Sequence, residues 1–130
     1  MPEDHEQRTT VDAAMAALGL EVHDVAPGRA VVSLLVRTQH GHGRGVASPG
    51  VAFTVADAAI ALASNAYGPP ALLVHADVQW LGPAAVGGRL TATCRAVHRD
   101  PTTASFESRL TTGDDVLVGV VWGTTRSPRT

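Results

Sequence analysis

The apolar positions of this chain keep a helical rhythm in two stretches and a strand rhythm in six. Val11, Ala14, Met15 and Leu18 recur at i, i+3, i+4 and i+7. With Thr9 and Asp12 as a capping pair and Gly19 as the stop, they predict a short amphipathic helix after a frayed segment 1–8. Its single apolar stripe is expected at the edge of the domain or over a pocket mouth. Alternation predicts strands over Leu20–Val25 and Arg29–Arg37, joined at Pro27-Gly28 into a hairpin. Ala30, Val32, Leu34 and Val36 fall on one face of the second strand, Val31, Ser33, Leu35 and Arg37 on the other. The rhythm then changes. Pro49 to Asn65, PGVAFTVADAAIALASN, is apolar or small almost throughout, and a helix apolar all round is expected to be buried on all sides. Ser48 suits the N-cap and Pro49 the first helical position. Asn65 and Gly68, before Pro69 and Pro70, mark the end. Seventeen Ala-rich residues are too short for a membrane span.

Strand patterns fill the rest. Ala71 to Leu81 places Leu72, Val74, Ala76, Val78 and Trp80 on one face, with His75, Asp77 and Gln79 on the other. Arg89 to Arg99 turns Leu90, Ala92, Cys94 and Ala96 inward. After Asp100-Pro101, Thr102 to Thr111 does the same with Ala104, Phe106 and Leu110. Val116 to Thr125 is apolar on both faces, which predicts a central or interface strand. Residues 126–130 read as a loose tail. Strands segregated from one long helix imply a single α+β domain over residues 1–130, an antiparallel β-sheet wrapped around a central helix. One helix covers only one sheet face, so a homo-oligomer is expected to protect the remainder.

Asp57 breaks the apolar helix. An ionised carboxylate in an apolar interior costs several kcal/mol unless it is paired or hydrogen-bonded. It is either a structural acid bonded to backbone or to a partner subunit, or a base or nucleophile lining a pocket. Thr54, Asp57 and Ser64 lie near one stripe at helical spacing, as a polar seam would. The loop TQHGHGRGVA, Thr38 to Ala47, carries the pair His40 and His42 but no acid or Cys at diagnostic metal spacing. It ends at a helix N-terminus, a natural place to bind an anion or polarise a carbonyl.

Composition narrows the chemistry. All ten basic residues are Arg, which excludes Schiff-base lysine chemistry and a P-loop. A net charge of −2 gives no sign of nucleic acid binding. The one cysteine, Cys94, excludes an internal disulfide and reads as a buried thiol. With no signal or spanning segment visible, a cytoplasmic protein without membrane partners is expected.

The element order and the segment GVAFTVADAAIALASNAYG resemble the hotdog-fold thioesterases of the PaaI-like, phenylacetate-degradation group. Gly50, Phe53, Ala56, Asp57, Asn65 and Gly68 match that group's helix motif. Leu81, Pro83, Gly87, Leu90 and Ala92 match its later strand and turn. The resemblance spans residues 12–125. It implies a hotdog fold, hydrolysis of acyl-CoA thioesters without a metal or other cofactor, and sites at a dimer interface. In such sites a backbone N–H at the helix start polarises the thioester carbonyl, and the helix acid, here Asp57, reaches across from the other subunit. The pattern departs at the helix start, where S-P-G stands for the family's H-G-G. Ser48 takes the place of the His, and Pro49, which has no N–H, the place of the Gly that donates. His42 occupies the family's Asn position, and His75 aligns with a strand residue that orients water in some relatives.

The reading that follows is an acyl-CoA thioesterase with Asp57 as general base or nucleophile. His42, Ser48 and Gly50 stand near the carbonyl, and His75 orients water. Pro49, Phe53, Tyr67 and Trp80 touch the acyl group, and Arg95, Arg99 and Arg126 are candidates for the CoA phosphates. Its partners would be an acyl-CoA or acyl-carrier thioester and further copies of itself, as a homodimer or a dimer of dimers. The alternatives are a hotdog protein that binds such a thioester with little hydrolysis, favoured by Pro49, and a related dehydratase pairing Asp57 with His42 or His75.

Overall fold

The computed structural model describes residues 12–68 and 70–128. The proposed fray over 1–8, Thr9 and Val11, and the last two tail residues lie outside them. Helix α1 (Ala13–Leu18) is capped by Asp12, whose Oδ1 accepts the Met15 N–H at 2.9 Å. Gly19 ends it at φ 91°, a left-handed conformation that glycine adopts without strain. The remaining elements are β1 (Glu21–Ala26), β2 (Arg29–Leu35), α2 (Pro49–Asn65), β3 (Leu72–Trp80), β4 (Arg89–Arg99), β5 (Thr103–Thr111) and β6 (Leu117–Arg126). A single 3-10 turn, Thr38–His40, opens the loop before α2. Six strands form one antiparallel sheet in the order β1-β2-β4-β5-β6-β3. The predicted α+β class holds.

The sheet curls around α2. Ala30, Val32 and Leu34 from β2, Leu90, Ala92 and Cys94 from β4, and Ala104, Phe106 and Leu110 from β5 are buried in one core with Val55, Ala56, Ala59, Ile60 and Ala63 of the helix. Alanines on the helix and glycines on the strands let the two backbones approach. A Cβ at Gly123 would lie 2.9 Å from both Ile60 and Leu73. Polar groups inside this contact are paired: Ser64 Oγ and Thr125 Oγ1 are 2.7 Å apart, and Ser108 Oγ donates to the Ala56 carbonyl at 3.2 Å. Burial pushes the Cys94 thiol up to about 12, with the Glu107 charge as the lesser cause. This matches an inert core thiol.

Four expectations need correction. First, α2 is not covered on all sides. Gly50, Phe53, Thr54, Asp57, Ala61 and Asn65 run along a stripe that stays exposed or half-buried. An Ala-rich helix is suited to close packing all round, but its composition does not say what it packs against. Second, Ser64 leaves the polar seam: it faces β6 and is buried, while Thr54 and Asp57 remain on the open stripe. Third, β3 carries a bulge between Leu73 and His75. The bulge moves Leu73, not Leu72, onto the helix-facing side, in register with Thr125, and leaves Val74 51% exposed. Beyond it Ala76, Val78 and Trp80 face the helix side, as the alternation predicts, in register with Gly123, Val121 and Gly119. Fourth, Arg126 belongs to β6, paired with Leu72 and Thr103, and the Ser127 N–H donates to the Thr102 carbonyl at 2.8 Å. No described helix is long and apolar enough to cross a membrane.

Candidate active site

The loop before α2 is held at three points. The His40 ring is buried and both its nitrogens are committed. Nδ1 accepts the Arg37 N–H at 2.9 Å, so Nε2 carries the proton and donates to the Leu18 carbonyl at 2.9 Å. The His40 carbonyl accepts the Ser48 N–H at 2.9 Å. Farther along, Gly41 and Ala47 form a bridge, and the Ala47 N–H donates to Ala84 in the β3–β4 connection at 2.8 Å. The loop thus joins the end of α1, the start of α2 and the β3–β4 connection.

This geometry separates the two histidines. With both ring nitrogens on backbone partners, His40 has no lone pair left for a metal, so the H-x-H pair does not act as one ligand set. No group of three metal-ligating side chains forms among the described residues. His42 is exposed and lines a groove of about 210 Å³ with Val46, Ala47, Pro49, Ala52 and Trp80. Gly82, Pro83, Ala84 and Val118 complete it. The groove opens at the N-terminus of α2. Ser48 occupies the N-cap position, but its hydroxyl makes no capping bond. Pro49 has no N–H, and the Ala52 N–H is the first to bond within the helix, to the Ser48 carbonyl at 3.0 Å. The amides of Gly50 and Val51 are therefore the donors at this helix start with no acceptor among the described residues. They lie where the helix dipole favours negative charge.

Asp57 is half-buried on the open stripe, two turns farther on, and is not part of the groove wall. Its carboxylate makes no hydrogen bond or ion pair among the described residues. Burial, and secondarily the charge of Asp12, raise its pKa above the ordinary 3.8. Asp12 had a capping role in the sequence; its closeness to Asp57 becomes visible only when α1 is placed.

The other candidates divide. Phe53 is half-buried on the open stripe, one turn beyond Pro49, and Trp80 forms part of the groove wall. Tyr67 is not brought here. It lies past the C-terminus of α2, with the Arg99 guanidinium 3.9 Å over its ring and its hydroxyl against Gly28, where no side chain would fit. Seventeen helical residues separate that end from the groove by about 25 Å at 1.5 Å per residue. His75 is not brought here either. It pairs with Thr124 on the outer sheet face, away from α2, and its Nε2 lies 3.0 Å from Asp77 Oδ2. The predicted phosphate ligands also point elsewhere. Arg99 is stacked on Tyr67, Arg126 is at the same end of the sheet, and Arg95 pairs with Glu107 at 3.6 Å. Asn65, part of the sequence motif, is a structural tie: its Oδ1 accepts the Ala71 N–H and its Nδ2 donates to the Ala61 carbonyl, both at 2.8 Å. The groove residues Gly82, Pro83, Ala84 and Val118 were missed as site residues. The Gly82-Pro83 break in the β3 pattern was the available signal.

Comparison with known proteins follows the same lines. Residues 44–119 match the model of the Thioesterase superfamily. The acyl-coenzyme A thioesterase PaaI of Escherichia coli (strain K12) is 30% identical over 112 residues, covering 86% of this chain and 80% of that protein. A point mutant of the phenylacetic acid degradation protein PaaI from Thermus thermophilus is 35% identical, with a TM-score of 0.85 over 90% of this chain and 100% of that one. The E. coli PaaI structure is 26% identical, with a TM-score of 0.91, covering 98% of this chain and 95% of that chain.

Proposed function

Because the chain belongs to the Thioesterase superfamily, we propose that it hydrolyses acyl-CoA thioesters at a site built from two copies, with Asp57 as general base or nucleophile. The observation that carries this reading is the placement of Asp57. A carboxylate with no partner among the described residues, partly desolvated on a helix stripe that its own sheet leaves open, costs stability unless a second chain or a substrate uses it. The groove, which meets the start of α2 at Pro49 and Ala52, has no acid among the described residues of its wall. The open stripe of α2 and the edge of β3, where Val78 and Trp80 are about two-fifths exposed, lie on the uncovered side of the molecule. Pairing two such sides, edge to edge, covers both and brings the Asp57 of one copy to the groove of the other.

In that arrangement the thioester carbonyl lies against the Gly50 N–H, at the positive end of α2. Asp57 takes a proton from water, the hydroxide adds to the carbonyl carbon, and the oxyanion is held by the amide. Collapse breaks the C–S bond. The proton passes to the CoA sulfur, giving a carboxylic acid and free CoA. If Asp57 attacks directly, the same amide holds the oxyanion, and the C–S bond breaks with CoA leaving as its thiolate. Water then cleaves the mixed anhydride, giving the carboxylic acid, restoring the Asp57 carboxylate and supplying the proton the thiolate takes up. His42 stands at the groove mouth, and Ser48 has a hydroxyl not used for capping. Pro49 removes one amide from the helix start, and loss of an oxyanion donor costs about 10²–10³ in rate. This is the one observation that favours the second reading, a protein that binds the thioester without turnover.

Turnover of an acyl-CoA panel by wild type and Asp57→Asn separates the readings. The proposal expects a fall of about a hundredfold or more in kcat for the variant. Saturable CoA-ester binding with no wild-type turnover would establish the binder instead.

A further inference from the structure

A second, larger cavity of about 480 Å³ lies beside the groove, between the β3–β4 connection and the β5–β6 hairpin. The two share Gly82, Pro83, Ala84 and Val118, so they meet along one segment built largely of small side chains. Beyond that segment the larger cavity is walled by Val36, Leu81, Val116 and Leu117. Both of its charged side chains carry hydrogen bonds. Arg89 is bonded to Glu21 and to Ser33 Oγ, and Asp114 accepts from Thr112 Oγ1. Away from the exposed Asp114 carboxylate, what remains is an apolar space in the size range of small-molecule sites.

Resting on the thioesterase reading above, we infer that this cavity takes the distal part of a long or bulky acyl chain. The chain leaves the groove over Gly82 and Ala84, with its thioester carbonyl at the start of α2. The occupant is then an unbranched aliphatic tail of medium to long length, or an extended aryl-alkyl group. A short acyl group fills the groove alone.

The test uses non-hydrolysable S-alkyl-CoA thioethers of increasing length, so binding is read whether or not the protein turns over thioesters. Wild-type affinity is expected to rise with chain length beyond what the groove holds. Leu117→Trp fills the cavity, and Val116→Glu, at an exposed rim position that does not threaten folding, places a charge at its mouth. Each is expected to weaken long-chain binding about tenfold or more and to leave the shortest thioether unchanged. Wild-type affinity independent of chain length overturns the inference, as does equal weakening at every length. An altered sedimentation coefficient in both variants with no change in length preference also overturns it, because the cavity is then a contact between copies.

Discussion

Along the covered stripe of α2, Val55, Ala59, Ile60 and Ala63 are sealed against the sheet, while Thr54, Asp57 and Ala61 lie where the sheet does not reach. Both stripes are made mostly of small or apolar residues. On the covered side each polar group has a partner within the chain: Ser64 has Thr125, and Ser108 reaches the Ala56 carbonyl. On the open side the Thr54 hydroxyl bonds back to the Gly50 carbonyl at 2.9 Å, and Asp57 has no described partner. The side that satisfies itself sets stability. The side left unsatisfied is the one the proposed function assigns to a second copy and the substrate.

Substitutions on the two stripes should therefore separate. Ile60→Ala on the covered side removes a fully buried side chain packed against Gly123. It is expected to cost about 2–5 kcal/mol in denaturant unfolding, with activity per folded molecule nearly unchanged. Ser64→Ala leaves the buried Thr125 hydroxyl without its partner and should cost about 1–3 kcal/mol, again without altering the reaction. Asp57→Asn should do the reverse, losing turnover while holding or gaining stability. The sign follows from the raised pKa. Between the ordinary 3.8 and its native value, Asp57 holds its proton in the folded state and releases it in the unfolded one, so wild-type stability falls as pH rises through that window. Chemical unfolding at several pH values should show the variant more stable than wild type near neutrality, with the gap closing as pH falls below 3.8. A variant less stable than wild type at neutral pH would mean that Asp57 is a satisfied structural acid, and the contrast between the stripes would fail.

Much of this was legible in the sequence. The start and end of α2 follow from Ser48-Pro49 and from Asn65, and the inward faces of β2, β4 and β5 follow from alternation. The bulge at Val74 was not legible, because LLVHADVQW alternates acceptably whether or not one residue is skipped. The open stripe was hidden for a related reason: an Ala-rich surface suits its own sheet and a second copy equally. His40 and His42 are one residue type two positions apart. Only the placement of the Leu18 carbonyl and the Arg37 amide makes the first a fastener and leaves the second at the groove. Tyr67 and His75 were drawn into the site by residue type and alignment. Chain geometry puts one at the far end of α2 and the other on the outer sheet face.

The catalytic reading depends on the groove of one copy using the Asp57 of another. Mixing two variants, Asp57→Asn and Ala52→Phe, tests this, the second filling the groove, after each is shown to be folded and inactive alone. Unfolded together and refolded at equal concentration, they give mixed dimers in which one of the two sites is intact. Recovery of roughly a quarter of wild-type turnover is predicted, the share expected from random pairing of two subunits. A mixture that stays as inactive as its parents would contradict the shared site, and would place Asp57 and the groove it serves in the same chain.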